Sequence, residues 1–403
     1  MVRLKLKVCL GRQPACRLLQ RPIANFFFIL FLATCGAPSV RSLSGCPRVP
    51  ASNAVGRLSP PNFEQLKPAP IKLGVPFSGD EIDRLNQAFR QTVPRTGATA
   101  ASITIARAGG GSWSSTIGVP SKGPKSFWWA SVGKLVTATI ILQMVEEGHL
   151  ALDQTIDRWF PDYPGANRIT VDQLLMHTSG VFTFNYDRQI RRETGYHSPE
   201  QLIAISATHR LDFCPGTQWH YSNTGYVMLG IIAEKIDGYS IANIVNRRIA
   251  RRIGLRSLRI VARDSNPEMV VPFKGQTRPN ALVEKISSFP GAGGIVADPK
   301  DMVRLLQAWV RGPLLTTKSR NRALHDLFPM FGTETGYGRG IMVMPVPDAQ
   351  YPTTWLGHLG GSPNSKGVLI YDLRRQTYVA LVLNTGGKGE ALVNTLLKVL
   401  DGP

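Results

Sequence analysis

The order of local patterns along this chain constrains its fold more than any other feature. A helical pattern comes first, followed by two strand-like runs at 101–107 and 113–119 that a glycine turn separates. A long stretch of helical and loop signals follows, and then three more strand-like runs at 351–356, 367–371 and 378–383 before a last helix. Strands joined by short turns pair antiparallel, because parallel neighbours need long crossovers. We therefore expect one α/β (α+β) unit: a five-stranded antiparallel sheet flanked by N- and C-terminal helices, with a mostly helical inserted subdomain.

Capping residues and periodicity predict the individual helices. Ser78, with Glu81 three residues later, predicts a capped helix that ends before Pro94. Residues 131–147 have a helical pattern that Gly148 is placed to terminate. Further helices are predicted at 171–177, 199–207, 226–236, 300–309 and 390–400.

The first 35 residues resemble a targeting segment. A basic stretch precedes the apolar run 26–33, which is too short to cross a bilayer, since spanning needs about 20 residues. The run ends in Leu-Ala-Thr-Cys at 32–35, which resembles a bacterial lipobox with Cys35 as the lipidated residue. An ordinary secretory peptide that is cut a few residues later is the alternative. We expect a signal peptide at 1–35 and export to the bacterial periplasm or cell envelope.

The rest of the chain divides by composition. Residues 36–74 are rich in Pro, Ser and Gly and are expected to form a tether. Residues 75–403 are expected to form the folded domain, with an α/β part at about 75–130 and 285–403 and a helical part at about 131–284. Of the five cysteines, Cys46 and Cys214 remain as a candidate disulfide if Cys35 is lipidated.

The formal charge of +20 does not indicate a nucleic-acid partner. Seven of the basic residues lie in the first 42 residues, where no acid occurs, which leaves +13 for the remainder. The chain has no basic ribbon interleaved with aromatics and no zinc-finger spacing. We interpret the excess charge as a solvated surface that suits an anionic envelope.

The segment 131–134, Ser-Val-Gly-Lys, carries the chemistry. Residues three apart share one face of a helix, so the Lys134 amine can approach the Ser131 hydroxyl. Serine alone is a poor nucleophile, and a neighbouring base activates it. A phosphate-binding loop is excluded, because Trp128 and Leu135 occupy the positions where that motif needs Gly and Ser or Thr.

Two more segments hold candidate site residues. Tyr221 and Asn223 form the only Tyr-x-Asn in the chain and follow a Pro-Gly turn; a loop tyrosine that merely packs its ring is the alternative. Residues 358–361, His-Leu-Gly-Gly, end a strand-like run. Glycines there let a substrate approach the strand edge, where a backbone N–H can face an oxyanion.

Together the three segments resemble the serine β-lactamase-like hydrolases, a family that includes class C β-lactamases, D-alanyl-D-alanine carboxypeptidases, D-aminopeptidases and esterases. Further segments share the likeness, which covers about residues 75–400: 174–180, 215–217, 221–226, 293–295 and 384–386. The resemblance implies a β-lactamase/transpeptidase-like fold and an acyl-enzyme mechanism. The chain has no C-x-x-C, H-E-x-x-H, EF-hand or G-x-G-x-x-G pattern, so we expect neither a metal nor a cofactor.

The resemblance also implies a role for each matching position. Ser131 would be acylated, Lys134 would accept or relay its proton, and Tyr221 would be the partner base and later acid. Asn223 would hold the substrate amide, while His358, Gly360 and Gly361 would form the third substrate-binding segment. The backbone N–H groups of Ser131 and Gly361 would form the oxyanion hole. His177 and Ser179 belong to a family signature and are interpreted as structural.

Two choices of base are consistent with these residues. Using Tyr221 as an anion near neutral pH costs about 4 kcal/mol, and one ammonium at ~4 Å supplies about as much at an effective dielectric of ~20. The alternative is a neutral Lys134 as base, which requires burial to lower its pKa.

His358 stands where many class C β-lactamases have a lysine, so destruction of antibiotics is not the expected main role. We expect a serine hydrolase of the D-alanyl peptidase or esterase type that acts on a small-molecule or peptide amide or ester. The alternatives are a β-lactamase proper, a catalytically silent penicillin-binding protein and a basic envelope-binding module. The sequence leaves the substrate and the oligomeric state open.

Overall fold

The computed structural model describes residues 46, 66–119, 125–193, 195–261, 263, 285–348 and 352–402. All of them belong to one compact unit, Ala37–Pro403. The proposed signal peptide at 1–35 lies outside the described residues. So does the tether at 36–74, except for Cys46 and residues 66–74.

The strands form one large and one small antiparallel sheet. They are β1 Ala101–Arg107, β2 Ser112–Ile117, β3 Phe127–Trp128, β4 Arg259–Ile260, β5 Ile295–Ala297, β6 Phe328–Pro329, β7 Gly336–Tyr337, β8 Met342–Val346, β9 Thr353–Ser362, β10 Ser365–Asp372 and β11 Thr377–Leu383. The large sheet has the order β2-β1-β11-β10-β9-β8-β7-β6, and the small sheet has the order β3-β5-β4. The expected joining of the first and last segments is confirmed, because β1 pairs with β11 from Ala101↔Leu383 to Arg107↔Thr377.

The expected number of five strands is wrong, since the described part of the large sheet has eight. Strands β6 and β7 contain two residues each, so they are too short for any alternation to appear in the sequence. Strand β9 is also longer than expected. Its glycine-rich end continues to pair with β10 as far as Ser362↔Ser365, although glycine has little intrinsic preference for strands.

Seven of the described α-helices agree with the sequence patterns, and the other four were not predicted. The described helices are α1 Gly79–Thr92, α2 Gly133–Glu146, α3 Val171–Leu175, α4 Arg188–Arg192, α5 Pro199–Ala207, α6 Asn223–Asp237, α7 Ile241–Val245, α8 Pro290–Gly293, α9 Pro299–Arg311, α10 Thr317–His325 and α11 Gly389–Val399. The capping box of Ser78 and Glu81 is present at the start of α1. Gly148 has the expected left-handed backbone, φ +76°, just after α2.

Both faces of the large sheet are covered, as strand β11 illustrates. Val379, Leu381 and Leu383 pack with side chains of α1 and α11. The alternate residues, Ala380 and Val382 among them, pack on the other face with α9 and the helices that follow β3. Because both faces are buried, β11 is apolar from Tyr378 to Leu383 rather than alternating.

A disulfide joins Cys46 and Cys214, whose Cα atoms are 5.4 Å apart. This confirms the candidate pairing. Cys214 lies seven residues before Tyr221, and its carbonyl accepts hydrogen bonds from the amide and the hydroxyl of Thr217. The disulfide therefore anchors the start of the loop that carries Tyr221. Among the described residues, none of the helices combines the length and apolarity needed to cross a membrane.

Candidate active site

Ser131 lies in a 3-10 turn, Ala130–Val132, immediately before α2. The preceding residue, Ala130, has a left-handed backbone with φ +47°, which is unfavourable for a residue with a Cβ. Two glycines make this turn possible by close approach. A Cβ on Gly293 would meet the Ala130 carbonyl at 2.9 Å, and a Cβ on Gly360 would meet the Trp129 carbonyl at 2.1 Å. The turn is therefore held between α8 and the edge of β9.

Lys134 is fully buried at the start of α2, one turn after Ser131. Its Nζ lies 3.2 Å from the Ser131 Oγ. It also lies 2.6 Å from the Asn223 Oδ1 and 2.6 Å from the Ala292 carbonyl oxygen. None of these three partners is a carboxylate, so burial holds the pKa of the Lys134 amine well below its usual value.

Tyr221 lies beside the same two groups. Its side chain hydrogen-bonds with Ser131, and the Lys134 Nζ lies 4.9 Å from the centroid of its ring. Burial raises the pKa of the Tyr221 phenol, and the hydrogen bond with Ser131 only partly opposes that rise. The structure therefore brings the three predicted catalytic side chains together, with the phenol in its neutral form.

Asn223 is the first residue of α6, and its side chain connects Lys134 with Asn185. While the Asn223 Oδ1 accepts from Lys134, its Nδ2 donates to the Asn185 Oδ1 at 2.5 Å. The backbone N–H of Asn223 donates to the Thr183 hydroxyl at 3.1 Å. Asn185 was not predicted from the sequence, because nothing in its local pattern marks it as the partner of a residue 38 positions away.

His358 lies behind the site rather than in it. Its side chain is fully buried, and its Nδ1 donates to the Leu359 carbonyl at 2.7 Å. The Nε2 must then be the acceptor, and it pairs with the Tyr337 hydroxyl at 3.1 Å. Burial, together with the nearby Lys134, lowers the pKa of His358 to about 3. The expected direct contact of the His358 ring with substrate is not supported, because both ring nitrogens have internal partners.

Of the glycines in segment 358–361, Gly360 lies against the turn that carries Ser131. Gly357 is the last β9 residue that pairs with β8, so residues 358–362 continue beyond β8. Gly360 is buried against the 3-10 turn, and a Cβ on it would lie 3.2 Å from the Ser131 amide nitrogen. Gly361 is exposed, and a Cβ there would meet no atom within 4 Å. The edge of β9 thus runs past the nucleophile.

His177 fixes the segment that carries Tyr221, although the sequence showed only that it belonged to a signature. Its Nδ1 accepts from the Ser222 amide at 3.1 Å, and its carbonyl accepts from the His220 amide at 2.9 Å. Its ring lies 4.2 Å from that of Tyr221. Burial, with the charge of Lys134 next, lowers the pKa of His177, so the ring stays neutral and Nδ1 stays an acceptor.

Within the described residues, no three His, Cys, Asp or Glu side chains form a cluster suited to a metal ion. The side chains that converge here are a hydroxyl, an amine, a phenol and a carboxamide. Such a set can activate a serine for attack on a carbonyl carbon, which is the chemistry of acyl transfer.

Comparisons with known proteins agree with this arrangement. A family model described as Beta-lactamase matches residues 85–401, and the chain belongs to this family. The resemblance to serine β-lactamase-like hydrolases is thereby confirmed.

The relatives differ in what their names say they do. Penicillin-binding protein 4* of Bacillus subtilis (strain 168) is 27% identical over 286 residues, which cover 65% of this chain and 61% of that protein. Esterase EstB of Burkholderia gladioli is 30% identical over 179 residues, covering 40% of this chain and 45% of that protein. The matches therefore span less than two thirds of the length of either relative.

Solved structures with the same fold include two amide-cleaving enzymes. The D-amino acid amidase from Ochrobactrum anthropi SV3, complexed with D-phenylalanine, superposes with a TM-score of 0.72 at 23% identity, covering 80% of this chain and 99% of that one. A D-stereospecific amidohydrolase from Streptomyces sp. gives a TM-score of 0.67 at 24% identity, covering 78% and 97%. These likenesses confirm the predicted fold class.

Proposed function

We propose that this protein is a serine hydrolase that cleaves an amide or an ester through an acyl-enzyme at Ser131. The observation that carries the proposal is the environment of the Lys134 amine. It is fully buried and close to the Ser131 hydroxyl, and none of its three hydrogen-bond partners is an acid. The esterase, amidase and penicillin-binding names among the relatives and fold neighbours support an amide or ester as the bond that is cleaved.

The same environment favours Lys134 over Tyr221 as the general base. A neutral amine has two N–H groups and one lone pair. The Asn223 Oδ1 and the Ala292 carbonyl can only accept, so they take the two N–H groups, each at 2.6 Å. The lone pair is then left for the Ser131 hydroxyl, which donates to it across 3.2 Å.

The reaction follows from this geometry. The Ser131 Oγ attacks the substrate carbonyl carbon as its proton passes to the Lys134 Nζ. The N–H groups of Ser131 and Gly361 stabilise the oxyanion. Neutral Tyr221, which hydrogen-bonds with Ser131, passes a proton to the leaving amine or alcohol and regains one from Lys134. A water molecule then repeats these steps on the acyl-enzyme, releasing the acid and restoring the Ser131 hydroxyl.

The test is labelling and turnover in the same preparation. A fluorophosphonate probe should add to Ser131, as located by peptide mass spectrometry, and a nitrophenyl ester should be hydrolysed. Both signals should disappear in Ser131→Ala and persist in Ser114→Ala, which removes the hydroxyl of an exposed β2 residue whose partner is Thr104. Intact protein that neither fluorophosphonate nor β-lactam labels would favour the catalytically silent alternative and refute the proposal.

The substrate preference is tested with a panel of nitrophenyl esters, D-amino acid amides, D-Ala-D-Ala peptides and nitrocefin. We expect ester or D-amide or D-peptide turnover to exceed nitrocefin hydrolysis, because His358 is buried and neutral where many β-lactamases carry a lysine. Nitrocefin as the best substrate would reverse this assignment to a β-lactamase.

We also propose that the protein acts outside the cytoplasm, in the bacterial cell envelope. The Cys46–Cys214 disulfide supports an oxidising compartment. Lipidation of Cys35, which lies outside the described residues, would anchor the protein to a membrane. Cell fractionation tests this: Cys35→Ser should move the protein from the membrane to the soluble fraction, and an unchanged distribution would argue against a lipid anchor.

A further inference from the structure

Two strongly exposed aromatic rings flank the segment that carries Tyr221. Among the described residues, four large apolar side chains are strongly exposed: Val75, Tyr186, Tyr239 and Phe331. Phe331 is 55% exposed, and its ring lies 5.3 Å from that of Trp219 and 6.3 Å from that of Tyr221. Tyr186 is 52% exposed, and its ring stacks at 6.0 Å on that of His220, the residue between Trp219 and Tyr221. Exposed aromatic surface thus adjoins both Tyr221 and its neighbour His220.

Phe331 is held in place at a conformational cost. It has φ +52° in a short turn after β6, where a glycine or an asparagine would be less strained. The turn is closed by the Met330 amide, which donates to the Thr335 carbonyl at 2.7 Å, and by the Thr333 hydroxyl, which donates to the Met330 carbonyl at 2.7 Å. More than half of the ring stays exposed on this strained backbone, which points to a role for the ring beyond its contact with Trp219.

Tyr186 is connected to the catalytic residues through its neighbour. Asn185 accepts the hydrogen bond from Asn223, which in turn holds the Lys134 amine. Tyr186 therefore follows a residue that hydrogen-bonds within the site, and its ring stacks on His220, the residue before Tyr221. Phe331 lies in the turn after β6 of the large sheet, and its ring centroid is 6.3 Å from that of Tyr221.

The third segment adds a constraint on charge. His358 stands where many class C β-lactamases have a lysine. It is buried and uncharged, because its pKa is lowered to about 3. It offers no positive charge to a substrate carboxylate. His358 therefore does not favour a substrate with a carboxylate, while Phe331 and Tyr186 offer aromatic surface to an apolar group.

We propose that Phe331 and Tyr186 are specificity-determining residues, and that the site takes uncharged esters or amides bearing an aromatic or other large apolar group, which packs against these two rings. This inference rests on the proposed acyl-enzyme activity and names its substrate class. The aromatic group gains by leaving water and by offset or edge contacts with the rings.

The test compares matched esters that differ only in the apolar group. One pair varies the alcohol, benzyl acetate against ethyl acetate, and the other varies the acid, ethyl phenylacetate against ethyl acetate. The wild-type protein should prefer the aromatic member of at least one pair by roughly tenfold or more in kcat/KM. Phe331→Ala and Tyr186→Ala should each lower that preference severalfold.

Two further variants make the result specific. Phe331→Asn removes the ring but tolerates the left-handed backbone, so an equal loss of preference in Phe331→Asn and Phe331→Ala assigns the effect to the ring. Tyr239→Ala removes a ring of similar exposure, 47%, that packs against Arg247 instead of the site, and it should leave the preference unchanged. Thermal unfolding of each variant excludes a general loss of structure.

The possible failures are distinguishable. Turnover that depends on Ser131 but shows no aromatic preference, or a preference unchanged in both ring variants, would overturn this inference and leave the proposed activity standing. A marked preference for a substrate with a free carboxylate, such as a D-Ala-D-Ala peptide, would also overturn it. Turnover that survives Ser131→Ala would instead refute the proposed activity itself.

Discussion

The substitution Gly360→Ala tests whether the edge of β9 positions the nucleophile. A Cβ at this position would lie 2.1 Å from the Trp129 carbonyl oxygen, where real Cβ contacts are essentially never under 3.0 Å. The obstructing atom belongs to the backbone, so no side chain can rotate away. Strand β9 and the turn that carries Ser131 must therefore move apart by about 1.4 Å to reach an unstrained contact of ~3.5 Å between such atoms.

The magnitude follows from that displacement. A misplacement of about 1 Å between reacting groups costs on the order of 100-fold in rate, and overpacking a filled interior costs about 1–3 kcal/mol of stability. We expect kcat/KM for a nitrophenyl ester to fall about 100-fold in Gly360→Ala. The thermal midpoint should fall by several degrees as well.

Gly361→Ala is the matched control for the steric argument. The two glycines are adjacent on β9, and neither has a left-handed backbone. A Cβ at Gly361 meets no atom within 4 Å, so this substitution should leave the thermal midpoint unchanged and cost far less activity than Gly360→Ala. If Gly360→Ala retains activity within threefold of the wild type, the close approach of β9 to Ser131 is not what positions the nucleophile, and the argument fails.

Three further predictions concern the base, the positioning of Tyr221 and the disulfide. Burial lowers the pKa of Lys134, and only the free amine is active, so kcat/KM should fall as the pH drops through that lowered pKa. As the pH rises, kcat/KM should reach a plateau below pH 10.0, the ordinary phenol pKa. A value of kcat/KM that still rises above pH 10.0 would make Tyr221 the base. His177→Ala should lower kcat, because the Ser222 amide loses its acceptor, and it should change KM little. His177→Asn keeps an acceptor and tolerates φ +60°, so it should retain most of the wild-type kcat, also with KM little changed. Equal losses of kcat in the two variants would exclude this positioning role. Replacing both Cys46 and Cys214 with serine should lower the free energy of unfolding by about 2–4 kcal/mol in urea titrations, and reductant should then lower the midpoint of the wild type alone; a double variant as stable as the oxidised wild type would contradict this.

Local patterns in the sequence were sufficient for the elements that bracket the site. The capping box at Ser78 and the left-handed Gly148 depend on hydrogen bonds and backbone preferences within a few residues, so the sequence contains all the information they need. Strand β1 was predicted with its observed bounds, Ala101–Arg107, because apolar and β-branched residues run between turn signals. The short strands β6 and β7 carried no such signal: β7 forms by pairing with β8, and β6 forms by pairing with β7.

The same division holds for the site. The sequence by itself predicted that Ser131 and Lys134 meet, since their spacing is local, and the family resemblance added Tyr221. Only the tertiary structure decided their protonation and the position of His358. The reason is physical: a pKa depends on burial and on partners such as the Ala292 carbonyl, 158 residues from Lys134, which no local pattern encodes.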